Sequence, residues 1–355
     1  MKVLSVVGAR PQFVKLAPIS CALHEGGFDH VIVHTGQHYD EAMSEAFFVD
    51  LRIPAPDVSL GVGSSTHAAQ TASILTALEP VLVAEAPDWV LLYGDTNSTL
   101  AGAICAVKLN LRIAHLEAGL RSHNRRMPEE HNRVLTDHAS DLLLAPTEIA
   151  IGNLSREGLR GKSVLVGDVM VDVCLQVARS VADRSVSDLS AVLTPGGYAA
   201  ATLHRAENTD DPNRLRGLVD ALKSLPIPVV LPVHPRLRNR AEAVGLDLEG
   251  GSLIPVGPLS YPDMVLLVTN ARSVLTDSGG LQKEAFILGV PCTTLRTETE
   301  WVETLADGWN LLDPDAEGLR EHALRRRPSA MRGWPFGVGK AAEASVAALR
   351  RALPP

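Results

Sequence analysis

The sequence lacks any uninterrupted apolar run long enough to cross a membrane, a length of about 18–20 residues. It also lacks the charged start and short apolar core of a secretion signal, because Met1 to Val7 runs directly into a strand-like segment. We therefore expect neither a membrane span nor a signal peptide. Cysteine is scarce as well, and the four cysteines form no C-x-x-C pair, which indicates a reduced, cytoplasmic protein.

Several chemical signatures are missing too. The sequence has no H-E-x-x-H motif, no EF-hand pattern and no His/Cys cluster with metal-ligand spacing, so we expect no metal. The absence of G-x-S-x-G argues against a serine hydrolase. The absence of G-x-G-x-x-G argues against a tightly held nicotinamide, and we expect no cofactor. The net charge of −8 argues against nucleic acid or an acidic membrane as a partner.

Short segments rich in β-branched residues alternate with helical stretches along the whole chain. The strand-like segments are KVLSVVG, DHVIVHTG, DWVLLYGD, RIAHLEAG and LLLAPT in the first half, then YAAATLH, VVLPVHP, SVLTDSGG and PCTTLR. This alternation indicates βαβ units and parallel sheets, and 355 residues exceed one hydrophobic core. We predict an α/β fold of two Rossmann-like doubly wound domains with an interdomain cleft. The predicted domains are residues 1–167 and 168–335, with a C-terminal helix in 336–355 packing back on the first.

Polar segments follow nearly every predicted strand, at the end where open parallel sheets bind ligands. In the first half they are GARPQFVK (8–15), TGQHYD (35–40), GDTNST (94–99) and HLEAGLRSHNRRMPEEHNR (115–133). In the second half they are LHRAEN (203–208), PVHPR (232–236) and TDSGGLQKEA (276–285). We expect the first set to contribute carboxylates to the site, and the second set to contribute cations and glycine turns. Together they predict a site for an anionic nucleotide ligand.

Each of these segments also has a purely structural interpretation. The stretch from Gly8 to Pro11 fits a tight turn that starts a helix, although Arg10 and Lys15 place two cations beside that helix. Asp95 and Thr96 are both common helix caps. The turn Ser278-Gly279-Gly280 opens a helix, where backbone N–H groups could bind a phosphate or simply form a turn.

Three further polar residues lie in these segments. Glu284, one turn into that helix, could pair with a surface lysine or accept ribose hydroxyls. His204, with Arg205 beside it, is a candidate phosphate contact. His234 follows the same pattern at the next strand end, and we interpret it as a structural histidine.

The ordered motifs resemble those of the non-hydrolysing UDP-N-acetylglucosamine 2-epimerase family over essentially the whole chain. They are GARPQFVK, TGQH, GDTNST, HLEAGLRS with PEEHNR, LHRAEN, PVHPR, TDSGGLQKEA and LRTETEW. The resemblance implies the glycosyltransferase-B architecture, a homodimer and a UDP-sugar substrate inverted at C2. The implied route is anti elimination of UDP to a 2-acetamidoglucal, then re-addition of UDP on the opposite face. The implied product, UDP-N-acetylmannosamine, is a precursor of cell-surface polysaccharides.

The resemblance also assigns roles by position. The catalytic residues it implies are Asp95, Glu117, Glu129 and His204. The substrate-binding residues it implies are Arg10, Lys15, Met264, Ser278, Gly279, Gly280 and Glu284. Such chemistry needs a positioned base for the weakly acidic C2 proton, positive charge for the departing diphosphate, and an acid for the return. For Met264, implied to contact the uracil, a place in the core is equally consistent.

Three positions depart from the family pattern. Gln12 replaces a common Glu, Tyr39-Asp40 follows TGQH where an activating second UDP-sugar site has other residues, and Trp301 replaces an Arg. These variants resemble the branch that includes epimerases of UDP-2,3-diacetamido-2,3-dideoxyglucuronate. We favour UDP-N-acetylglucosamine and keep that sugar as the alternative. A glycosyltransferase of the same architecture and a non-catalytic nucleotide-sugar sensor are the other classes considered.

Overall fold

The computed structural model describes residues 1–37 and 53–352, apart from the side chain of Arg10. The motif residues His38, Tyr39 and Asp40 lie outside this description. The chain divides into two compact units. Unit 1 comprises Met1–Val173 with Trp334–Pro355, and unit 2 comprises Cys174–Gly333. The C-terminal segment thus belongs to unit 1.

Unit 1 is built on a seven-stranded parallel sheet. Its strands are β1 (Lys2–Val7), β2 (Asp29–His34), β3 (Val58–Ser59), β4 (Trp89–Tyr93), β5 (Ile113–Leu116), β6 (Leu142–Ala145) and β7 (Ser163–Leu165). Their spatial order is β3-β2-β1-β4-β5-β6-β7. The central strands are buried along their whole length because helices cover both faces, which is why β4 consists of large apolar residues.

Unit 2 repeats this plan with a six-stranded sheet. Its strands are β8 (Ala199–Thr202), β9 (Val229–Pro232), β10 (Leu253–Val256), β11 (Ser273–Thr276), β12 (Cys292–Thr294) and β13 (Asn310–Leu312). Their spatial order is β10-β9-β8-β11-β12-β13, and every pair is parallel. A separate hydrophobic core lies on each face of this sheet.

The described helices connect these strands. They are α1 (Arg10–Glu25), α2 (His67–Glu85), α3 (Asn97–Lys108), α4 (Pro128–Ala139), α5 (Glu148–Arg156), α6 (Val169–Ser180), α7 (Ala206–Thr209), α8 (Pro212–Lys223), α9 (Pro235–Ala243), α10 (Tyr261–Thr269), α11 (Gly279–Leu288), α12 (Leu319–Leu324) and α13 (Ala341–Arg351). Several begin with proline, which suits the first turn because the missing N–H has no partner there. Helix α13 packs on α1, and Asp172 accepts hydrogen bonds from its first two N–H groups.

The predicted α/β class with two Rossmann-like doubly wound units is confirmed. The predicted cleft between them stays a prediction. The strand order reverses between β1 and β4 in unit 1, and between β8 and β11 in unit 2. Ligands of such sheets bind beyond the carboxyl ends of the strands at this reversal. Within residues 1–37 and 53–352, no helix has the length and apolar character needed to span a bilayer.

Candidate active site

The loops at the carboxyl ends of β1, β2 and β4 are in direct contact. A Cβ atom on Gly8 would lie 2.1 Å from Thr35 Oγ1 and 2.2 Å from Ser98 Oγ, so this position accepts only glycine. The hydroxyls of Thr35 and Ser98 are 2.8 Å apart. Gln37 Oε1 accepts from both the N–H and the hydroxyl of Ser98, at 3.1 and 2.6 Å. Three polar segments that are distant in sequence therefore form one buried polar cluster in unit 1.

Gln12 fixes the start of α1 against this buried polar cluster. Its Oε1 accepts from the N–H groups of Gly8 and Ala9, at 2.8 and 3.0 Å. Its Nε2 donates to the carbonyl of Tyr93 at 2.7 Å and lies within reach of two threonine hydroxyls. A carboxylate could not donate to that carbonyl, which gives a physical reason for glutamine where the family commonly has glutamate.

Lys15 and Glu117 form an ion pair at the carboxyl ends of the central strands. Their side chains are only 11% and 10% exposed. Burial opposes a charged lysine, but Glu117 outweighs it and the pKa of Lys15 is raised. Glu117 has a φ of 68°, an unusual conformation for a residue with a side chain, and it follows β5 directly. A Cβ on Gly94 would lie 3.3 Å from Glu117 Oε2, so Gly94 packs against the pair.

Asp95, directly after Gly94, pairs with Arg133 of helix α4. Oδ2 of Asp95 accepts from Nε and Nη2 of Arg133 at 2.9 and 2.5 Å, and Asn132 donates to the Asp95 carbonyl at 2.8 Å. The alternative of a helix cap applies to Thr96, whose hydroxyl accepts from the N–H of Thr99 at the start of α3. Thr96, and not Asp95, is therefore the cap of α3.

Two adjacent glutamates in the first turn of α4 have different surroundings. Glu130 is buried and accepts from Ser122 N, Ser122 Oγ and His123 N at 2.8–2.9 Å. Burial opposes its ionisation, but these donors and Arg133 prevail and lower the pKa of Glu130. Glu129 is partly exposed and has no hydrogen bond or ion pair with the described residues. Its negative charge suits the positive end of the helix.

In unit 2, His204 and Asp277 meet at the reversal between β8 and β11. Asp277 is fully buried and accepts from the N–H groups of His204 and Arg205. Nδ1 of His204 lies 3.2 Å from Asp277 Oδ1. Burial lowers the pKa of His204, Asp277 acts in the opposite direction, and the nearby His234 adds to the lowering. His234 caps α9 through Nδ1, which accepts from Arg236 N at 3.1 Å and agrees with its structural interpretation.

The predicted phosphate turn begins α11. Ser278 Oγ accepts from Leu281 N at 3.3 Å, a capping contact. A Cβ on Gly279 would lie 2.2 Å from Glu300 Oε1, so a side chain there would displace the Glu300 carboxylate, whereas Gly280 is exposed. Nε of Arg205 is buried and has no hydrogen-bond partner among the described residues. The turn and this guanidinium thus offer donors to an anion.

Glu284 accepts a hydrogen bond from the hydroxyl of Tyr261 at 3.0 Å. Burial raises the pKa of Glu284 to about 7.

Met264 packs against a hydrophobic core of unit 2, as its core interpretation requires, and its contact with uracil stays a prediction. Trp301, at the position where the family has arginine, lies over the amine of Lys283, 3.9 Å from the ring centroid. A cation–π contact therefore replaces a second positive charge at this point.

Unit 1 therefore brings together Lys15, Asp95 and Glu117, with Glu129 on the helix that pairs with Asp95. The side chain of Arg10 is outside the described part of the chain. Sequence reasoning assigned no site role to Arg133 or Asp277. Both lie in the polar segments at strand ends, so their position was the available signal. Among residues 1–37 and 53–352, no group of three or more His, Cys, Asp or Glu side chains could hold a metal ion.

Comparisons with known proteins agree with these motifs. A family model described as UDP-N-acetylglucosamine 2-epimerase matches residues 22–350. A UDP-N-acetylglucosamine 2-epimerase homolog of Methanococcus maripaludis is 45% identical, over 99% of each chain. The UDP-2,3-diacetamido-2,3-dideoxy-D-glucuronate 2-epimerase of Pseudomonas aeruginosa is 51% identical, over 88% of each chain.

A solved structure shows the same similarity. It is the UDP-GlcNAc 2-epimerase of Methanocaldococcus jannaschii in complex with UDP-GlcNAc and UDP. The match has a TM-score of 0.84 and 41% identity, and covers 99% of this chain and 100% of the other. By sequence and by fold, the chain belongs to the UDP-N-acetylglucosamine 2-epimerase family, whose members are isomerases.

Proposed function

We propose that the protein converts UDP-N-acetylglucosamine to UDP-N-acetylmannosamine by elimination and re-addition of UDP. The observation that carries the proposal is the set of carboxylates in unit 1. Glu117 is paired with Lys15, Asp95 is paired with Arg133, and Glu129 has no partner among the described residues. A protein that only binds or transfers a sugar has no use for three such groups, whereas removing and returning a proton at C2 requires them.

Unit 2 binds the nucleotide in this proposal. His204, oriented by Asp277, donates from Nε2 to the diphosphate, and Arg205 and the first N–H groups of α11 neutralise its charge. Glu284 accepts from the ribose hydroxyls, beside the hydroxyl of Tyr261. The M. jannaschii relative, solved with UDP-GlcNAc and UDP, supports a ligand of this class.

Unit 1 performs the proton transfer. A carboxylate removes the proton from C2, the C–H electron pair becomes the C1=C2 double bond, and the C1–O bond breaks with its electrons leaving on UDP. The intermediate is 2-acetamidoglucal. UDP then adds back to C1 while a protonated side chain returns a proton to the opposite face of C2. Nothing is oxidised or reduced overall, so the residues of the chain suffice.

The alternative substrate is UDP-2,3-diacetamido-2,3-dideoxyglucuronate. The 51% identity to the P. aeruginosa enzyme that is named for this sugar favours it. Each candidate carries a 2-acetamido group and undergoes the same inversion, so the residues in unit 1 serve both. Parallel assays with the two UDP-sugars at equal concentration decide between them.

The test of the function is solvent exchange at C2. The protein is incubated with each UDP-sugar in D₂O, and C2 is observed by NMR. We expect the product to carry deuterium at C2, with traces of free UDP and 2-acetamidoglucal, and an unchanged rate in EDTA. Inversion with full retention of the original hydrogen would contradict elimination, and absence of inversion with both sugars would contradict the function.

We further infer that the protein acts as a cytoplasmic homodimer in the synthesis of surface-polysaccharide precursors. Unit 1 exposes the large apolar side chains of Val83, Ile104, Val107 and Leu135 on the mutually packed helices α2, α3 and α4. Leu135→Glu should shift the sedimentation coefficient to that of a monomer. Val192→Glu, which changes an equally exposed valine of unit 2, should leave it unchanged. If the two variants sediment identically, these apolar side chains do not form the dimer interface.

A further inference from the structure

The imidazole of His115 is fully buried in unit 1, and each of its nitrogens has a hydrogen-bond partner. Nε2 lies 2.7 Å from the carbonyl oxygen of Gly94. Nδ1 lies 2.7 Å from Oδ1 of Asp137 in α4. A carbonyl oxygen can only accept, so Nε2 carries a proton. Asp137 is the partner of the other ring nitrogen, Nδ1.

Asp137 is also fully buried and receives two further donors. Its Oδ2 accepts from Gly119 N at 3.0 Å and from Nη2 of Arg121 at 2.7 Å. Burial opposes ionisation, but His115 and Arg121 outweigh it and lower the pKa of Asp137. Oδ1 of Asp137 faces Nδ1 of His115, so both ring nitrogens and both carboxylate oxygens have partners.

Arg121 extends this hydrogen-bonded network from Asp137 to Glu157. It donates from Nε and Nη2 to the two carboxylate oxygens of Glu157, at 2.8 and 2.7 Å. A fully hydrogen-bonded network of this kind can remain buried, whereas removal of one member leaves a buried polar group without its partner.

This network joins the three elements that carry the proposed catalytic carboxylates. Gly94 directly precedes Asp95, Glu117 lies two residues after His115, and Asp137 belongs to the helix of Glu129. We propose that His115 is a positioning residue that fixes the ends of β4 and β5 against helix α4, so that these carboxylates keep the spacing the reaction needs. The proposal rests on the proposed epimerase function.

The backbone of Glu117 shows why such a device is required. Its φ of 68° is a sparsely populated conformation that persists only when the surrounding structure enforces it. His115 holds the chain two residues before Glu117, and the Asp137 contact with Gly119 holds it two residues after. Nε2 of His115 also fixes the Gly94 carbonyl, and Gly94 packs on the Glu117–Lys15 pair.

Two substitutions separate the two contacts. His115→Asn keeps an N–H near the position of Nδ1, and His115→Gln keeps one near the position of Nε2. We expect both variants to fold and to lower kcat by about tenfold or more, with KM within about threefold. UDP affinity should not change, because unit 2 binds the nucleotide. The larger loss is expected for His115→Asn, which frees the Gly94 carbonyl.

The control is His30→Gln. His30 is a largely buried histidine of the same sheet, bonded to Ser5 and Ser20, but it lies at the amino end of β2. His30→Gln should lower the melting temperature and leave kcat within about twofold of the parent value. If the His115 variants keep the parent kcat, or if His30→Gln loses as much, the positioning role is wrong.

A spectroscopic measurement tests the contact with Gly94 without any need for activity. In protein labelled with ¹⁵N-histidine, the Nε2–H proton of His115 should exchange slowly with solvent, because the ring is buried and this N–H donates to the Gly94 carbonyl. A rapidly exchanging Nε2–H in the parent contradicts the positioning role whether or not the protein epimerises any sugar. A slowly exchanging Nε2–H with no epimerisation would instead overturn the proposed function.

Discussion

Arg133 bridges Asp95 and Glu130, with Nη2 2.5 Å from Asp95 Oδ2 and Nη1 3.2 Å from Glu130 Oε2. Glu130 in turn binds the backbone of Ser122 and His123. One side of α4 therefore holds Asp95 and the preceding loop, whereas Glu129 points away from this network by about 100° of helix rotation. The two neighbouring glutamates should respond differently to the same substitution.

We expect Glu129→Gln to lower kcat by roughly 10²–10⁴ while melting temperature and UDP affinity stay near the parent values, since a positioned acid or base contributes about that much. Glu130→Gln should lose about 1–3 kcal/mol of stability, because a buried acceptor of four hydrogen bonds is replaced. Thermal melts and steady-state kinetics of both variants test this. A normal Glu129→Gln with an inactive, stable Glu130→Gln would show that the wrong glutamate has been assigned.

A second prediction concerns Lys15 and Glu117. Lys15→Met leaves a buried carboxylate without its cation, which costs about 3–5 kcal/mol. We expect a melting temperature lower by about 6–15 °C, and partial recovery in the double variant Lys15→Met/Glu117→Gln. Glu117→Gln alone should lower kcat by roughly 10²–10⁴.

The control for this pair is Lys2→Met, which removes the cation of the Lys2–Glu85 pair, 31% and 32% exposed. A pair so exposed contributes little to stability, so Lys2→Met should leave the melting temperature near that of the parent. If the effects of Lys15→Met and Glu117→Gln are additive in the double variant, Lys15 and Glu117 are not coupled.

The fold, and the strand ends at which the candidate site lies, could be predicted from the sequence because both depend on local patterns. Alternating β-branched and helical segments give the parallel sheets, and the polar segments mark the strand ends. The choice between Asp95 and Thr96 as the helix cap needed the structure. Thr96 caps α3 and Asp95 does not, because the cap depends on which side chain reaches the N–H of Thr99.

The partners of the carboxylates could not be predicted because they depend on contacts over long separations. Lys15 reaches Glu117 and Asp95 reaches Arg133 across neighbouring strands or helices, and no local spacing encodes such pairs. Arg121 is much closer to Glu117 in sequence than Lys15 is, yet it pairs with Asp137 and Glu157. Likewise, the role of Gln12 is visible only in the structure, where its Nε2 donates to the carbonyl of Tyr93.

A third prediction follows from His204, whose pKa is lowered mainly by burial, so that the ring is neutral at neutral pH. A diphosphate near Nε2 should raise this pKa, and UDP binding should then take up a proton. UDP affinity should rise as pH falls from 8 to 6. Calorimetry in two buffers of different ionisation enthalpy measures the uptake, which His204→Gln should abolish.

His322→Gln provides the matched control. His322 also lies in unit 2 and has Nδ1 3.1 Å from an aspartate, Asp313, but it is on α12. It should keep the full proton uptake. Equal uptake by the parent and His204→Gln would assign the proton to another group.

The last prediction separates stability from binding at Glu284. Burial raises the pKa of Glu284 to about 7. Since glutamate in an unfolded chain ionises near pH 4.3, the folded protein binds more protons between about pH 4.3 and 7. Stability is therefore lost as pH rises through this window, and the loss is complete above it. Glu284→Gln, which can still accept from Tyr261, should remove the loss.

We expect Glu284→Gln to match the parent near pH 5 and to be more stable by about 1–3 kcal/mol at pH 8, as measured by thermal melts across that range. If the carboxylate binds ribose hydroxyls, the same variant should bind UDP about 10–100-fold more weakly, because hydrogen bonds to a charged group are lost. Tyr261→Phe is the control, since it removes the hydroxyl and leaves the carboxylate. A stability difference that does not change with pH contradicts the raised pKa, and unchanged UDP affinity contradicts the ribose contact. A variant that is more stable yet binds UDP less well would show that the buried carboxylate is kept for its ligand at the expense of the fold.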